Sequence, residues 1–74
     1  MRSTYSPAYR RFLGRLADAR KSAGLTQREV GRALRIPQSR VSRMESGERR
    51  VDVIELDELA RLYGKPLTWF VPRL

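Results

Sequence analysis

From residue 7 to residue 71 the apolar side chains recur three and four positions apart, with no stretch of strict alternation, and that period predicts helices throughout. In the first of them Tyr9, Phe12, Leu13, Leu16, Ala17 and Arg20 share a stripe. Ser6-Pro7 supplies a capping hydroxyl before a first-turn proline, and Gly24 closes the helix. Thr26-Gln27-Arg28-Glu29 then has the form of a capping box, so a second helix starts near Gln27 and carries Val30, Ala33 and Leu34 on one side. Gly31 beside that stripe lets a neighbouring helix approach closely. Pro37 disfavours helical dihedrals at Ile36 and is itself pre-set for a helix's first turn, so the chain breaks over 35 to 37 and a third helix begins near Gln38. Such a short break between two short helices is the form of a helix-turn-helix.

The third helix turns Val41, Met44 and Glu45 to one side and ends at Ser46-Gly47, where a polar loop follows with Arg49 and Arg50 projecting from it. Asp52 and Glu55 repeat the capping arrangement, and Val53, Leu56, Leu59, Ala60 and Tyr63 carry a stripe to Gly64. Beyond Lys65-Pro66, Leu67 and Phe70 are expected to cap the core. Trp69, Val71 and Leu74 are left over, which makes the tail 67 to 74 a candidate subunit contact.

Seventy-four residues suffice for one small domain with a modest core, here expected over 7 to 71, with the helix-turn-helix at 27 to 46. There is no Cys and no His, which removes disulfides, the usual zinc ligand sets and any Ser-His or Cys-His nucleophile. No metal, cofactor or enzymatic chemistry is expected. No apolar run has the length of a signal peptide core or a membrane span, so the expected location is the cytoplasm. The net charge of +8 is unevenly placed: residues 1 to 50 carry 13 basic and 4 acidic side chains, a net of +9, against 3 and 4 in residues 51 to 74. A polyanion meeting the first part releases counterions for each cation set on a phosphate. A membrane surface is the weaker candidate, because the apolar stripes are needed for the core. An RNA reading lacks aromatic platforms on the basic face.

The polar side of the third helix consists of Gln38, Ser39, Arg40, Ser42 and Arg43. These are amides, hydroxyls and guanidinium groups, the types that reach base edges and phosphates, in place of the Glu and Lys mixture of an ordinary solvated helix. On the opposite side, Arg20 follows the apolar stripe of the first helix and must find a carboxylate or water. Glu45 is its natural partner, giving an expected ion pair between the first and third helices.

From about Phe12 to Phe70 the chain resembles the Cro and repressor type of helix-turn-helix, the XRE-like family of phage and bacterial regulators. The resemblance rests on Leu25-Thr26-Gln27, Glu29-Val30-Gly31, Leu34, Ile36, Val41-Ser42-Arg43-Met44-Glu45-Ser46-Gly47 and Leu59-Ala60-Arg61-Leu62-Tyr63-Gly64, in that order and spacing. It implies an all-α fold of five helices, with residues 38 to 46 as the recognition helix in the major groove of double-stranded DNA. It also implies roles: Gln38, Ser39 and Arg43 on base edges; Gln27, Arg28, Arg40, Ser42, Arg49 and Arg50 on the backbone; Gln27 supporting Gln38; and an internal Arg20–Glu45 ion pair. Two positions depart from the family pattern. Arg35 stands where the turn commonly has glycine, and Pro37 where the helix cap is commonly Ser or Thr.

The expected function is that of a sequence-specific transcriptional regulator, repressor or activator, working as a homodimer on a palindromic operator. Restriction-modification controllers and Cro-like phage switches are of this size and type. The alternative is an antitoxin with the same DNA-binding domain and a C-terminal toxin contact. A protein partner, whether a toxin or a polymerase, stays open, and no membrane partner is expected.

Overall fold

A computed structural model describes residues 6 to 71. They form five helices, α1 (Pro7–Ser22), α2 (Gln27–Leu34), α3 (Gln38–Ser46), α4 (Val53–Tyr63) and α5 (Leu67–Phe70), with no strand among the described residues. Local chemistry fixes most of the starts. The Ser6 hydroxyl accepts from the Tyr9 N–H at 3.2 Å. Thr26 and Glu29 exchange both capping bonds, Glu29 N–H to Thr26 Oγ1 at 3.1 Å and Thr26 N–H to Glu29 Oε1 at 2.9 Å. Asp52 and Glu55 do the same at the head of α4, at 2.7 and 3.0 Å. These reciprocal bonds satisfy amides that the first helical turn leaves without partners.

The core gathers one face from every helix: Phe12, Leu16 and Ala19 of α1, Val30 of α2, Val41 and Met44 of α3, Leu59, Ala60 and Tyr63 of α4, and Phe70 of α5. α3 lies against both α2 and α1, so its inner side is spoken for by two neighbours. The α3–α4 connection is tied to α1 by the Val51 N–H, which donates to the Tyr9 hydroxyl at 3.1 Å.

Two apolar positions ahead of the tail differ from the periodic expectation. Ala33 is exposed, because α2 turns Val30 and Gly31 inward and Leu34 only halfway. Val53 is 68% exposed, and Ile54 beside it is 67% exposed; both sit in the first turn of α4, which overhangs the core that Leu56, Leu59 and Ala60 reach. The tail is also arranged differently. Leu67 faces outward at 41% exposure, while Trp69 and Val71 are half-buried against the core. Trp69 stands edge-on to Phe70 with ring centroids 5.1 Å apart, and its carbonyl accepts from Arg15 Nη1 at 3.0 Å. The Arg15 guanidinium and the Lys65 ammonium also lie over its ring, at 5.1 and 4.8 Å. An indole has more apolar area to bury than a leucine and two cations to meet, so it takes the inner position. Leu74, the remaining residue of the expected subunit contact, lies outside the described residues.

Candidate nucleic-acid interface

The angle between α2 and α3 is set by a turn packed directly on Gly31. A Cβ there would stand 2.7 Å from the Ile36 carbonyl oxygen and 3.3 Å from the Gln38 nitrogen, so only glycine admits this approach. The Ile36 N–H donates back to the Gly31 carbonyl at 2.9 Å. Between them Arg35 adopts the left-handed conformation, φ 60° and ψ 44°, the one non-glycine residue with positive φ among the described residues. That conformation costs an L residue about 1–2 kcal/mol. Pro37 precedes α3 with extended dihedrals and no side-chain cap, while the Arg40 N–H donates to the Pro37 carbonyl at 3.0 Å.

α3 is thereby divided into two sides. Val41 and Met44 are 1% and 2% exposed on the inner side. Gln38, Ser39, Ser42 and Arg43 are exposed on the outer side, and their side chains show no ion pair and no hydrogen bond within the described residues. Arg40 is half-buried and shares a small cavity of about 140 Å³ with Met44, Glu55, Glu58 and Leu59. A row of amide, hydroxyl and guanidinium donors backed by a rigid apolar side is suited to hydrogen-bonding the edges of bases in a groove as wide as an α-helix.

The C-terminal end of α3 is locked by Glu45. Its carboxylate accepts from Arg20 Nε at 2.6 Å and from Arg20 Nη2 at 3.1 Å, a bidentate pair whose side chains are only 12% and 9% exposed. Arg20 Nη1 donates to the Leu25 carbonyl at 2.8 Å, and the guanidinium pKa is raised, chiefly by its hydrogen bond to Glu45. The third ligand of Glu45 is Gln27, whose Nε2 donates to Oε1 at 3.0 Å. The resemblance implied that Gln27 supports Gln38; the bond observed instead ties the head of α2 to the tail of α3, because Glu45 has acceptor capacity left after Arg20. Tyr63 lies in the same neighbourhood with its hydroxyl buried and without a hydrogen-bond partner among the described residues, and burial first, then the charge of Glu45, pushes its pKa up.

Arg49 and Arg50 are less projecting than the sequence suggested. The Arg49 N–H donates to the Arg43 carbonyl at 3.1 Å, which folds the loop around left-handed Gly47 and keeps residue 49 at the end of α3. Its guanidinium pairs with Glu55, Nη2 to Oε2 at 2.7 Å and Nη1 to Oε1 at 3.0 Å. The Arg50 guanidinium lies 4.6 Å from the centroid of the Tyr9 ring. Exposed Arg28, Arg32 and Arg35 complete the cations of α2 and the turn; of these only Arg28 is expected from the sequence to contact the DNA backbone. From the sequence Glu55 is expected only as a cap, but its Oε1 accepts from both the Asp52 N–H and Arg49 Nη1 while its Oε2 accepts from Arg49 Nη2.

The helix-turn-helix family model HTH_3 matches residues 16–70, from the middle of α1 to the end of α5. The chain belongs to this family. It is therefore a Cro/C1-type, XRE-family helix-turn-helix regulator that binds DNA and regulates transcription. No curated protein and no solved structure matches the chain. In this helix-turn-helix regulator α2 and α3, joined by the short turn on Gly31, have the form of a helix-turn-helix pair, and among the described residues the outer side of α3 is left uncommitted. Among the described residues no helix is long and apolar enough to cross a membrane, and no cluster of acidic side chains could hold a metal ion.

Proposed function

We propose that this regulator recognises a particular duplex sequence as a two-fold homodimer, entering the major groove with α3. Gln38 is assigned to the N6 and N7 edge of adenine and Arg43 to O6 and N7 of guanine or a phosphate, with Ser39 beside them. Arg28, Arg40, Ser42, Arg49 and Arg50 are assigned to phosphates. Gln27 gives one amide N–H to Glu45, so its part is to fix α3 against α2 and to offer its other N–H to the backbone. The observation that carries the reading is the outer side of α3, where Gln38, Ser39, Ser42 and Arg43 have no partner within the described residues while the inner side is sealed.

The second copy is assigned to the head of α4. Val53 and Ile54 stand exposed beside an apolar groove of about 340 Å³ floored by Tyr9, Phe12, Leu56 and Val71. A knob and a groove side by side on one face can be exchanged between two identical chains across a two-fold axis. Val71 belongs to this surface, whereas Trp69 is engaged within its own chain. Selection of bound duplexes from a random pool tests the reading: it should yield inverted half-sites centred about 10 bp apart. Ile54→Glu should convert a sedimenting dimer to a monomer and weaken operator binding without changing the half-site selected. Recovery of no preferred sequence overturns site-specific recognition. A wild-type monomer both free and on DNA overturns the dimer and leaves the patch to a second protein, as in the antitoxin alternative.

A further inference from the structure

We infer that Glu55 is a built-in competitor for DNA phosphate, holding Arg49 back until the rest of the interface is in register. This rests on the DNA-binding reading above and concerns the control of one contact within it. The carboxylate is placed for the task by α4. As the third residue of that helix it accepts the Asp52 N–H through Oε1 at 3.0 Å, which fixes its position against the backbone. From there both oxygens grip Arg49, at 2.7 and 3.0 Å, and Arg49 is held at the end of α3 by its own N–H on the Arg43 carbonyl. Glu55 thus reaches across the loop to a cation of the recognition surface, with Arg40 as a second cation in its field.

The pair is half-exposed, 39% and 20% for the two side chains, so a phosphate can approach the same guanidinium. An exposed ion pair is weakly held, and a phosphate in the right place can replace the carboxylate. A random duplex offers phosphates out of register with the other contacts and leaves the pair closed. Residues 1 to 50 carry a net charge of +9, enough to hold any duplex, and withholding one arginine trims that indiscriminate affinity.

The test is Glu55→Gln, which keeps the cap, since Gln serves at the third position of a capping box as well as Glu. Binding to a random duplex is measured against salt by fluorescence anisotropy, with melting temperatures to show that the variant is folded. Asp57→Asn serves as the control, removing an equal charge from α4 where Asp57 pairs with Arg61 at 3.0 Å. Glu55→Gln should bind random duplex more tightly than wild type and gain one phosphate contact, so its affinity falls about 3.5-fold more than wild type's between 50 and 200 mM salt. At least half of the gain should vanish when Arg49→Ala is added, and Asp57→Asn should leave the salt slope unchanged. An unchanged slope for Glu55→Gln, a gain equal to that of Asp57→Asn, or a gain that survives Arg49→Ala overturns the inference. A wild-type protein that holds no duplex at any salt brings down the functional reading itself and is recognised without any variant.

Discussion

Removing the Glu45 carboxylate is the sharpest perturbation of α3 that leaves its exposed polar side untouched. Glu45 accepts from Arg20 Nε at 2.6 Å, Arg20 Nη2 at 3.1 Å and Gln27 Nε2 at 3.0 Å. In Glu45→Ala the arginine keeps only its bond to the Leu25 carbonyl, and a guanidinium that is 12% exposed loses its counter-charge. Breaking one side of a buried pair costs about 3–5 kcal/mol, and the residual exposure here sets the expectation at the lower end, about 3 kcal/mol. For a domain of this size each kcal/mol moves the midpoint by about 4–8 °C, so the melting temperature should drop by roughly 12–24 °C. Urea denaturation followed by far-ultraviolet circular dichroism measures the loss directly. Glu45→Gln, which keeps one acceptor, should lie between the wild type and the alanine variant. Because the cost comes from stranding Arg20, the double variant Arg20→Leu with Glu45→Leu should recover much of it. A loss below about 1 kcal/mol, or losses for Arg20→Ala and Glu45→Ala that simply add, would refute the reasoning.

Further outcomes follow from the same geometry. Gly31→Ala sets a methyl group 2.7 Å from the Ile36 carbonyl and should destabilise the fold, whereas Gly14→Ala, with nothing within 4 Å, should stabilise it by about 0.5–1 kcal/mol; equal melting temperatures would contradict this. Tyr63→Phe removes a buried hydroxyl without a hydrogen-bond partner among the described residues and should leave the protein as stable or more stable by up to about 1 kcal/mol, so a clear loss in denaturation would mean that the hydroxyl is satisfied. The Glu55 carboxyl sits below its ordinary pKa, chiefly through its hydrogen bond with Arg49, and in the unfolded chain it regains the ordinary value. Its contribution is therefore present above the ordinary glutamate pKa and lost as the pH falls below about 4 through the folded value. Stability against pH should flatten there in Arg49→Ala, and parallel curves would remove the pair from the account.

Helix ends were legible because their causes are local: Ser6, the Thr26–Glu29 box, the Asp52–Glu55 box, and glycines at 24, 47 and 64 that adopt positive φ. Arg35 in the left-handed region was not legible, since local propensity opposes it and only the contact of Gly31 with the turn enforces it. Helix faces were less secure. A stripe of period 3.6 says which residues share a side but not where the side runs out, so the pattern groups Val53 with Leu56 and Leu59 although the first turn of α4 overhangs the core. In the four-residue α5 one turn cannot rank Leu67 against Trp69, and the deciding partner, Arg15, is distant in sequence. The polar, outward side of α3 was readable from residue types alone. The commitment of Gln27 to Glu45 and of Arg49 to Glu55 was not, because each depends on acceptor capacity left over after a nearer partner has been served.

The central claim is that the outer side of α3 reads bases. Gln38→Ala and Arg43→Ala, titrated side by side on a selected operator and on a random duplex of equal length at fixed salt, test it most directly. Each variant should lose about 1–3 kcal/mol on the operator, with a much smaller loss on random DNA and relaxed preference at one position of each half-site. Losses of equal size on both duplexes would contradict base reading by this helix.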